Sequence, residues 1–170
     1  YPYEWSFSQL KDAALLTLTV TRAALEKGMI LKDASAYNIQ FINGKPVLID
    51  TLSFDIYKEG AQWDAYRQFC QHFLAPLALA SMVDIRLTQL LRVYIDGIPL
   101  DLASSLLPGK TKMGLSGLAL HIHMHARAQQ EYADKAVSQA SAVKLNKAAL
   151  LNLLNSLEKT IQPLKWEPKG

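Results

Sequence analysis

The sequence predicts an α+β fold that is mainly helical and contains one β-hairpin, at about residues 38–49. Two observations carry this prediction. Apolar residues recur at spacings of three and four over several long stretches, which is the period of an amphipathic helix. Two short β-prone runs, by contrast, flank Asn43-Gly44, a dipeptide typical of tight hairpin turns.

Six stretches carry helical signals. Ser8 is a candidate N-cap for the first stretch, and Lys27-Gly28 is a candidate stop. Pro76 predicts a bend in the second stretch, because proline has no backbone N–H to donate. Asn146 is a candidate N-cap for the last stretch. The predicted helices span residues 9–26, 63–81, 84–95, 101–107, 118–135 and 145–161.

The hairpin decides which residues meet at its open end. A type I′ turn needs positive φ at both central positions, and Asn43 and Gly44 adopt that conformation readily. Folding the runs 39–42 and 46–49 against each other brings Asn38 beside Asp50. The loop that contains Asp33 is expected to lie close to both.

Asp33, Asn38 and Asp50 form the candidate site. Two carboxylates and an amide that converge at strand ends supply the oxygen ligands that Mg²⁺ prefers. In the alternative interpretation, Asp33 and Asn38 hydrogen-bond the loop backbone and Asp50 caps the turn after its strand. The residue types alone leave both interpretations open.

Composition describes an ordinary globular protein. Of 170 residues, 50% are hydrophobic and 19% are charged, and the net charge of +3 is spread without a basic block, so binding to nucleic acid has no electrostatic support. The apolar run at 73–83 is shorter than the roughly 20 residues of a membrane span, and no membrane association is expected. Cys70 is the single cysteine, which fits a reducing cytoplasm.

The order Asp33-x4-Asn38, short hairpin, Asp50 resembles the catalytic loop and metal-binding Asp of protein-kinase-like enzymes. The resemblance implies a fragment of a kinase-like large lobe. Asp33 would orient the accepting hydroxyl, while Asn38 and Asp50 would hold the Mg²⁺ that bridges the ATP phosphates. Leu31-Lys32 and Thr51-Leu52 depart from the usual flanking residues of these motifs. No Gly-rich loop or lysine-bearing strand is recognisable before Asp33 in the sequence.

Five longer stretches carry a second resemblance. They read YPYEWSFSQLKDAALLTL, LKDASAYNIQF, VLIDTLSF, YRQFCQHFLAPLAL and LLRVYIDGIPLDLASSLLP. They resemble a bacterial family named after the nodulation protein NoeA, whose members are usually described as class I S-adenosylmethionine-dependent methyltransferases. The resemblance implies a methyltransferase domain C-terminal to this stretch in the same parent chain, with S-adenosylmethionine as its cofactor.

Three parts are expected along the chain. Residues 1–136 form the kinase-like large-lobe domain, 137–143 form a flexible stretch rich in serine and alanine, and 144–170 form a helix that leads to the methyltransferase domain. The sequence lacks the glycine-rich turn after a first strand that would bind S-adenosylmethionine. No cofactor is therefore expected in these residues, apart from Mg-ATP under the kinase-like alternative.

His121, His123 and His125 look like a metal cluster at first sight. On a helix, however, only His121 and His125 share a face, and no cysteine lies nearby in the sequence. A packing or surface role is the favoured interpretation.

Three functions follow from these observations. The first is a non-catalytic kinase-like accessory domain of a NoeA-like methyltransferase, which recognises a substrate or partner. The second is a Mg-ATP-dependent phosphotransferase lobe that uses Asp33, Asn38 and Asp50. The third is a purely structural interaction domain. On the first interpretation these residues alone do not methylate a substrate.

Overall fold

The long first helix, α1 (Phe7–Glu26), is the element on which much of the chain packs. The structure is a computed structural model and describes residues 1–114, 116–128 and 146–168. Ser6 caps α1: its Oγ accepts the Gln9 N–H at 3.2 Å, and Gln9 Oε1 accepts the Ser6 N–H at 2.9 Å. The prediction of Ser8 as the cap was wrong by two residues, because this reciprocal capping box places Ser8 inside the first turn.

The predicted hairpin is confirmed. Strands β2 (Ile39–Ile42) and β3 (Lys45–Leu48) pair antiparallel, with Ile42 opposite Lys45 and Ile39 opposite Leu48. The turn between them places Asn43 at φ 51° and Gly44 at φ 75°.

Pro46 lies opposite Phe41 in this hairpin. In a two-residue hairpin the pair beside the turn exchanges hydrogen bonds and the next pair does not. Pro46 therefore occupies a position where its missing N–H costs no ladder bond, and it protects the outer edge of β3 from pairing with another strand.

A second antiparallel pair is present that the sequence did not predict. Strands β1 (Met29–Leu31) and β4 (Phe54–Ile56) pair with Leu31 opposite Phe54. Each strand has only three residues, and some 25 residues separate the partners, so no local pattern indicates the pairing. The Lys32 N–H donates to the Ser53 carbonyl at 2.7 Å and extends this pair. The start of the loop after β1 and the end of the loop before β4 therefore lie side by side.

The predicted helix at 63–81 is divided in the structure. It consists of α2 (Tyr66–Phe69), a π-helical turn (Cys70–Leu74) and α3 (Ala75–Met82). Pro76 lies inside a continuous helix, because Leu74 and Ala75 both have helical backbone angles and the Ala75 N–H donates to the Cys70 carbonyl. The Gln71 carbonyl in the preceding turn accepts the Ile98 N–H at 2.9 Å instead of a helical partner. The helix thus changes type just before the proline, and the bend at Pro76 stays a prediction.

The predicted helix at 84–95 is also shorter than expected. A 3₁₀ segment (Ile85–Gln89) leads into the single turn α4 (Leu90–Val93), and α5 (Leu100–Leu106) follows. Within the described residues, 3₁₀ turns also occur at Pro2–Glu4, Ala36–Asn38, Thr51–Ser53 and Gly109–Lys112.

A π-helical segment, Ala119–Met124, occupies the middle of the next helix, which the structure describes as far as residue 128. The predicted end of this helix at 135 and the predicted flexible stretch at 137–143 lie outside the described residues.

The last helix, α6 (Lys147–Ile161), starts at the predicted cap: Asn146 Oδ1 accepts the Ala149 N–H at 2.8 Å. Its apolar face belongs to the same core as α1. Fully buried members of this face are Leu150, Leu154, Leu157 and Ile161. Arg22 of α1 pairs with Glu158 at 2.7 Å.

Lys11 of α1 also holds the far end of α6. Its Nζ donates to the carbonyls of Gln162 and Leu164 at 2.6 and 2.8 Å. These carbonyls have no partner within the helix, and the cation is favourable at the negative end of the helix dipole. The core therefore includes α6. None of the helices that the structure describes is long and apolar enough to traverse a lipid bilayer.

Candidate functional site

The open end of the hairpin joins Asn38 and Asp50, as predicted. The Ile49 N–H donates to the Asn38 carbonyl at 2.9 Å and closes the hairpin one residue beyond the strands. The two side chains are linked through Ser53: Asn38 Nδ2 donates to Ser53 Oγ at 3.1 Å, and Ser53 Oγ donates to Asp50 Oδ2 at 2.7 Å. The site thus contains a third polar residue between the two predicted ones.

Asp50 is held as a carboxylate. Beside the Ser53 bond, its Oδ1 accepts the Leu52 N–H at 2.9 Å and caps the 3₁₀ turn Thr51–Ser53. The Ser53 hydroxyl lowers the pKa of Asp50 most, followed by the Leu52 N–H, and the nearby Lys32 ammonium acts in the same direction. Asp50 therefore carries a negative charge at neutral pH.

Asp33 is fixed by a residue from the central helical region. Its Oδ1 accepts the Ser35 N–H at 3.0 Å and Gln68 Nε2 at 2.8 Å. Gln68 Oε1 in turn accepts the Ala34 N–H at 2.7 Å. Asn38 Nδ2 lies 3.5 Å from the Asp33 carbonyl, at the limit of a hydrogen bond. Gln68 therefore fixes the Asp33 loop through both ends of its amide.

His72, in the π-helical turn Cys70–Leu74, forms a hydrogen bond with the same loop. Its Nδ1 accepts the Ala36 N–H at 3.3 Å, and the side chain is buried. Burial lowers the pKa of His72 to about 4, although the negative charges of Asp33 and Asp96 oppose the shift. The ring is neutral at pH 7 and can accept this hydrogen bond.

Sequence reasoning missed Ser53 and Gln68. Ser53 lies three residues after Asp50, at the spacing of a side chain that bridges one 3₁₀ turn, so a local signal existed. Gln68 lies 35 residues after Asp33, and only the packing of α2 beneath the loop brings the two together.

The structure brings the side chains of Asn38 and Asp50 together at Ser53, whereas the Asp33 carboxylate bonds Ser35 and Gln68, and only the backbone carbonyl of Asp33 contacts Asn38. Among residues 1–114, 116–128 and 146–168, no group of three histidine, cysteine, aspartate or glutamate side chains could hold a metal ion. A cation at this site would therefore draw on Asp33 or Asp50 with the Asn38 amide oxygen, and on water or ligand oxygens for its other positions. Mg²⁺ commonly binds in this way, through one or two carboxylates plus phosphate.

The three histidines of the π-helical segment and its end have packing roles. His123 is buried, with Nδ1 2.7 Å from Ser104 Oγ and Nε2 2.8 Å from Thr111 Oγ1. His121 is also buried, and His125 stacks on Tyr66 at 4.9 Å between ring centroids. The sequence-based preference for packing over metal binding agrees with this placement.

The fold and site together describe a mainly helical α+β domain with an Asp–Asn–Asp cluster at the base of a hairpin. The chain is 46% identical over 99 residues to the nodulation protein NoeA of Rhizobium meliloti (strain 1021). The match takes in 58% of this chain and 21% of that protein, so the matched part spans about a fifth of the length of the curated relative. No family model and no solved structure matches the chain.

Proposed function

We propose that this chain is a non-catalytic accessory domain of a longer, NoeA-like, S-adenosylmethionine-dependent methyltransferase of the bacterial cytoplasm, and that it recognises a substrate or partner for that enzyme. The methyltransferase domain, with its cofactor, would lie C-terminal to these residues in the same parent chain. The similarity to a fifth of NoeA is the single observation that carries this proposal.

A kinase-like large lobe is the proposed architecture. The order of α1, the Asp33 loop, the hairpin β2–β3 and Asp50 supports it. So does the placement of Asn38 against Asp50 at the base of that hairpin.

The bonding of the cluster favours a non-catalytic role. Asp33 accepts hydrogen bonds from Ser35 and Gln68, and Asp50 accepts them from Leu52 and Ser53. Both carboxylates thus stabilise loops, which is sufficient reason for their presence without phosphoryl transfer.

The test compares the parent protein with a version that lacks residues 1–170, using S-adenosylmethionine and a host-cell extract as the source of acceptors. We expect the shortened protein to keep its affinity for S-adenosylmethionine but to methylate extract components more slowly. The 170-residue chain alone should form no S-adenosylhomocysteine. Unchanged methylation without residues 1–170, or turnover by the chain alone, would contradict the proposal.

A Mg-ATP-dependent phosphotransferase lobe is the second candidate. It is favoured because hydrogen bonds through Ser53 hold the proposed metal ligands Asn38 and Asp50 next to each other. Calorimetric titration with ATP, with and without Mg²⁺, tests it. Saturable binding that needs Mg²⁺, is lost in Asp50→Ala and is kept in the control Asp12→Ala would support this function. Asp12 is a suitable control because it is an exposed carboxylate on α1. If neither experiment gives its expected result, a purely structural interaction domain is the remaining interpretation.

A further inference from the structure

A cavity of about 580 Å³ lies on the side of α6 that faces the start of the helix containing Ala119–Met124. Pockets of a few hundred to a thousand Å³ are typical of sites for small organic molecules. None of the residues of the Asp33, Asn38 and Asp50 cluster contributes to its described lining. Residues that line it include Met82, Leu120, Asn152, Ser156, Lys159 and Thr160.

One wall of the cavity is connected to a buried series of polar groups. Ser156 Oγ lies 2.8 Å from His121 Nε2, and His121 Nδ1 lies 2.5 Å from the Tyr66 hydroxyl. His121 is completely buried. Burial lowers its pKa to about 4 and raises the pKa of Tyr66, so the imidazole and the phenol are both neutral at pH 7.

The partners of the two neutral groups indicate the direction of these hydrogen bonds. The neutral Tyr66 hydroxyl donates to Nδ1 of His121, which is the acceptor that the described residues supply to it. The ring hydrogen of neutral His121 is then on Nε2 and is donated to Ser156 Oγ. The hydrogen of the Ser156 hydroxyl is left to turn towards an acceptor on the cavity side. Ser156 is thus oriented as a donor.

The cavity also has a positive charge on one wall and exposed apolar side chains on the other. Lys159 lies one turn after Ser156 on α6, and the described lining includes no acidic side chain. Leu120 and Met82, on the facing elements, are 45% and 39% exposed. A cation and a hydroxyl donor on one wall therefore face apolar side chains on the other.

We propose that this cavity binds a small amphiphilic organic anion, a carboxylate with a short alkyl chain. The carboxylate accepts hydrogen bonds from the Ser156 hydroxyl and the Lys159 ammonium, and the alkyl chain packs on Leu120 and Met82. This inference does not rest on the proposed accessory or phosphotransferase functions, because it uses different residues and a ligand that is neither a nucleotide nor a methyl donor.

The experiment titrates the ¹⁵N-labelled 170-residue chain with sodium octanoate, below the concentration at which octanoate forms micelles, and with neutral octanamide for comparison. We expect saturable octanoate binding, with amide shifts that concentrate in residues 116–120 and 152–160. Lys159→Gln should weaken the affinity about threefold to fivefold, since exposed charge pairs contribute modestly. Ser156→Ala should weaken it about tenfold, as expected for a lost hydrogen bond to a charged group. Lys27→Gln, an exposed substitution outside the cavity, should leave it unchanged.

Lys159→Gln keeps the test decisive even if Ser156→Ala, which removes a partner of buried His121, fails to fold. Equal affinity for octanamide and octanoate would overturn the proposal, and so would an unchanged affinity of folded Lys159→Gln. Shifts that map to another surface, or no saturation at octanoate concentrations up to about 10 mM, would overturn it as well.

Discussion

The Ser53 hydroxyl donates to Oδ2 of Asp50 at 2.7 Å and, at the same time, accepts the Asn38 amide at 3.1 Å. Ser53 is only 2% exposed, so water cannot easily replace it. One hydroxyl therefore ties the residue before the hairpin to the residue after it, and it sets the ionisation of the carboxylate.

Replacing Ser53 tests this link. Ser53→Ala should lower the free energy of unfolding by about 1 kcal/mol, because the part-buried hydrogen bonds of Ser53 with Asn38 and Asp50 are lost. The pKa of Asp50 should rise towards its ordinary value, since the Ser53 hydroxyl is the largest cause of its depression. Chemical denaturation and an NMR titration of the carboxyl group measure the two effects. Ser8→Ala, at an exposed position on α1, is the control. An unchanged Asp50 pKa would show that the link does not persist in solution.

The capping box of α1 offers a matched pair of serines. Ser6→Ala should cost about 1 kcal/mol of stability, because it leaves the Gln9 N–H without its acceptor. Ser8→Ala should change stability by less than about 0.5 kcal/mol, as is usual for surface substitutions. Thermal unfolding followed by circular dichroism separates the two. Equal losses, or a larger loss at Ser8, would place the helix start two residues later.

The buried histidines predict an acid-sensitive fold. Burial lowers the pKa of His72 and of His121 to about 4, from about 6.5 in the unfolded chain. Between these values the unfolded chain binds more protons than the folded one, so stability falls as the pH is lowered from about 6.5 to about 4. Each histidine contributes up to about 1.4 kcal/mol per pH unit to this slope.

The measurement is urea denaturation at several pH values, with His72→Gln as the variant. A glutamine oxygen can still accept a hydrogen bond from the Ala36 N–H but does not titrate. The free energy of unfolding of His72→Gln should therefore change less steeply with pH between pH 6.5 and 4. Asp50 affects stability at lower pH than the histidines do. Its pKa in the folded protein is depressed, so its contribution to the free energy of unfolding is lost only as the pH falls through that folded pKa. A slope identical to that of the original protein would exclude His72 as a source.

Gly97 is predicted to be irreplaceable by alanine. Its φ is +93°, and a Cβ atom would lie 2.7 Å from the Gln71 carbonyl carbon and 2.9 Å from its oxygen. The clash is with backbone that Ile98 also engages, through its N–H to the Gln71 carbonyl at 2.9 Å. Gly97→Ala should cost about 2–4 kcal/mol from strain and overlap together.

Gly109→Ala is the matched control for this change. A Cβ there meets nothing within 4 Å. Its stability should stay within about 0.5 kcal/mol of the original in denaturant titrations. Similar losses at both glycines would mean that the close approach of Gly97 to Gln71 is not maintained.

The hairpin and the neighbourhood of Asn38 and Asp50 could be predicted because they depend on short-range signals. Asn43-Gly44 sets the turn, and the turn sets the register that brings the two ends together. The α6 cap at Asn146 was predictable for the same reason. The cap of α1 was misplaced because Ser6 and Ser8 are both plausible caps, and the choice depends on the reciprocal bond with Gln9.

The π-helical turn Cys70–Leu74 and the pairing of β1 with β4 were not predictable in this way. A helix with a π-turn has almost the same apolar pattern as a regular one, so only the observed hydrogen bonding distinguishes them. Strands of three residues carry too few alternating positions to be recognised.

The sequence by itself determined the helical character of the chain, its hairpin and the meeting of Asn38 with Asp50, because these follow from residues that are close in sequence. Only the tertiary structure decided how Gln68 clamps the Asp33 loop and how Tyr66, His121 and Ser156 line up behind a cavity. Those contacts join residues 35 to 55 positions apart in single steps. Packing of a shared core pays the entropic cost of closing such long loops, and no local pattern records which partners it will bring together.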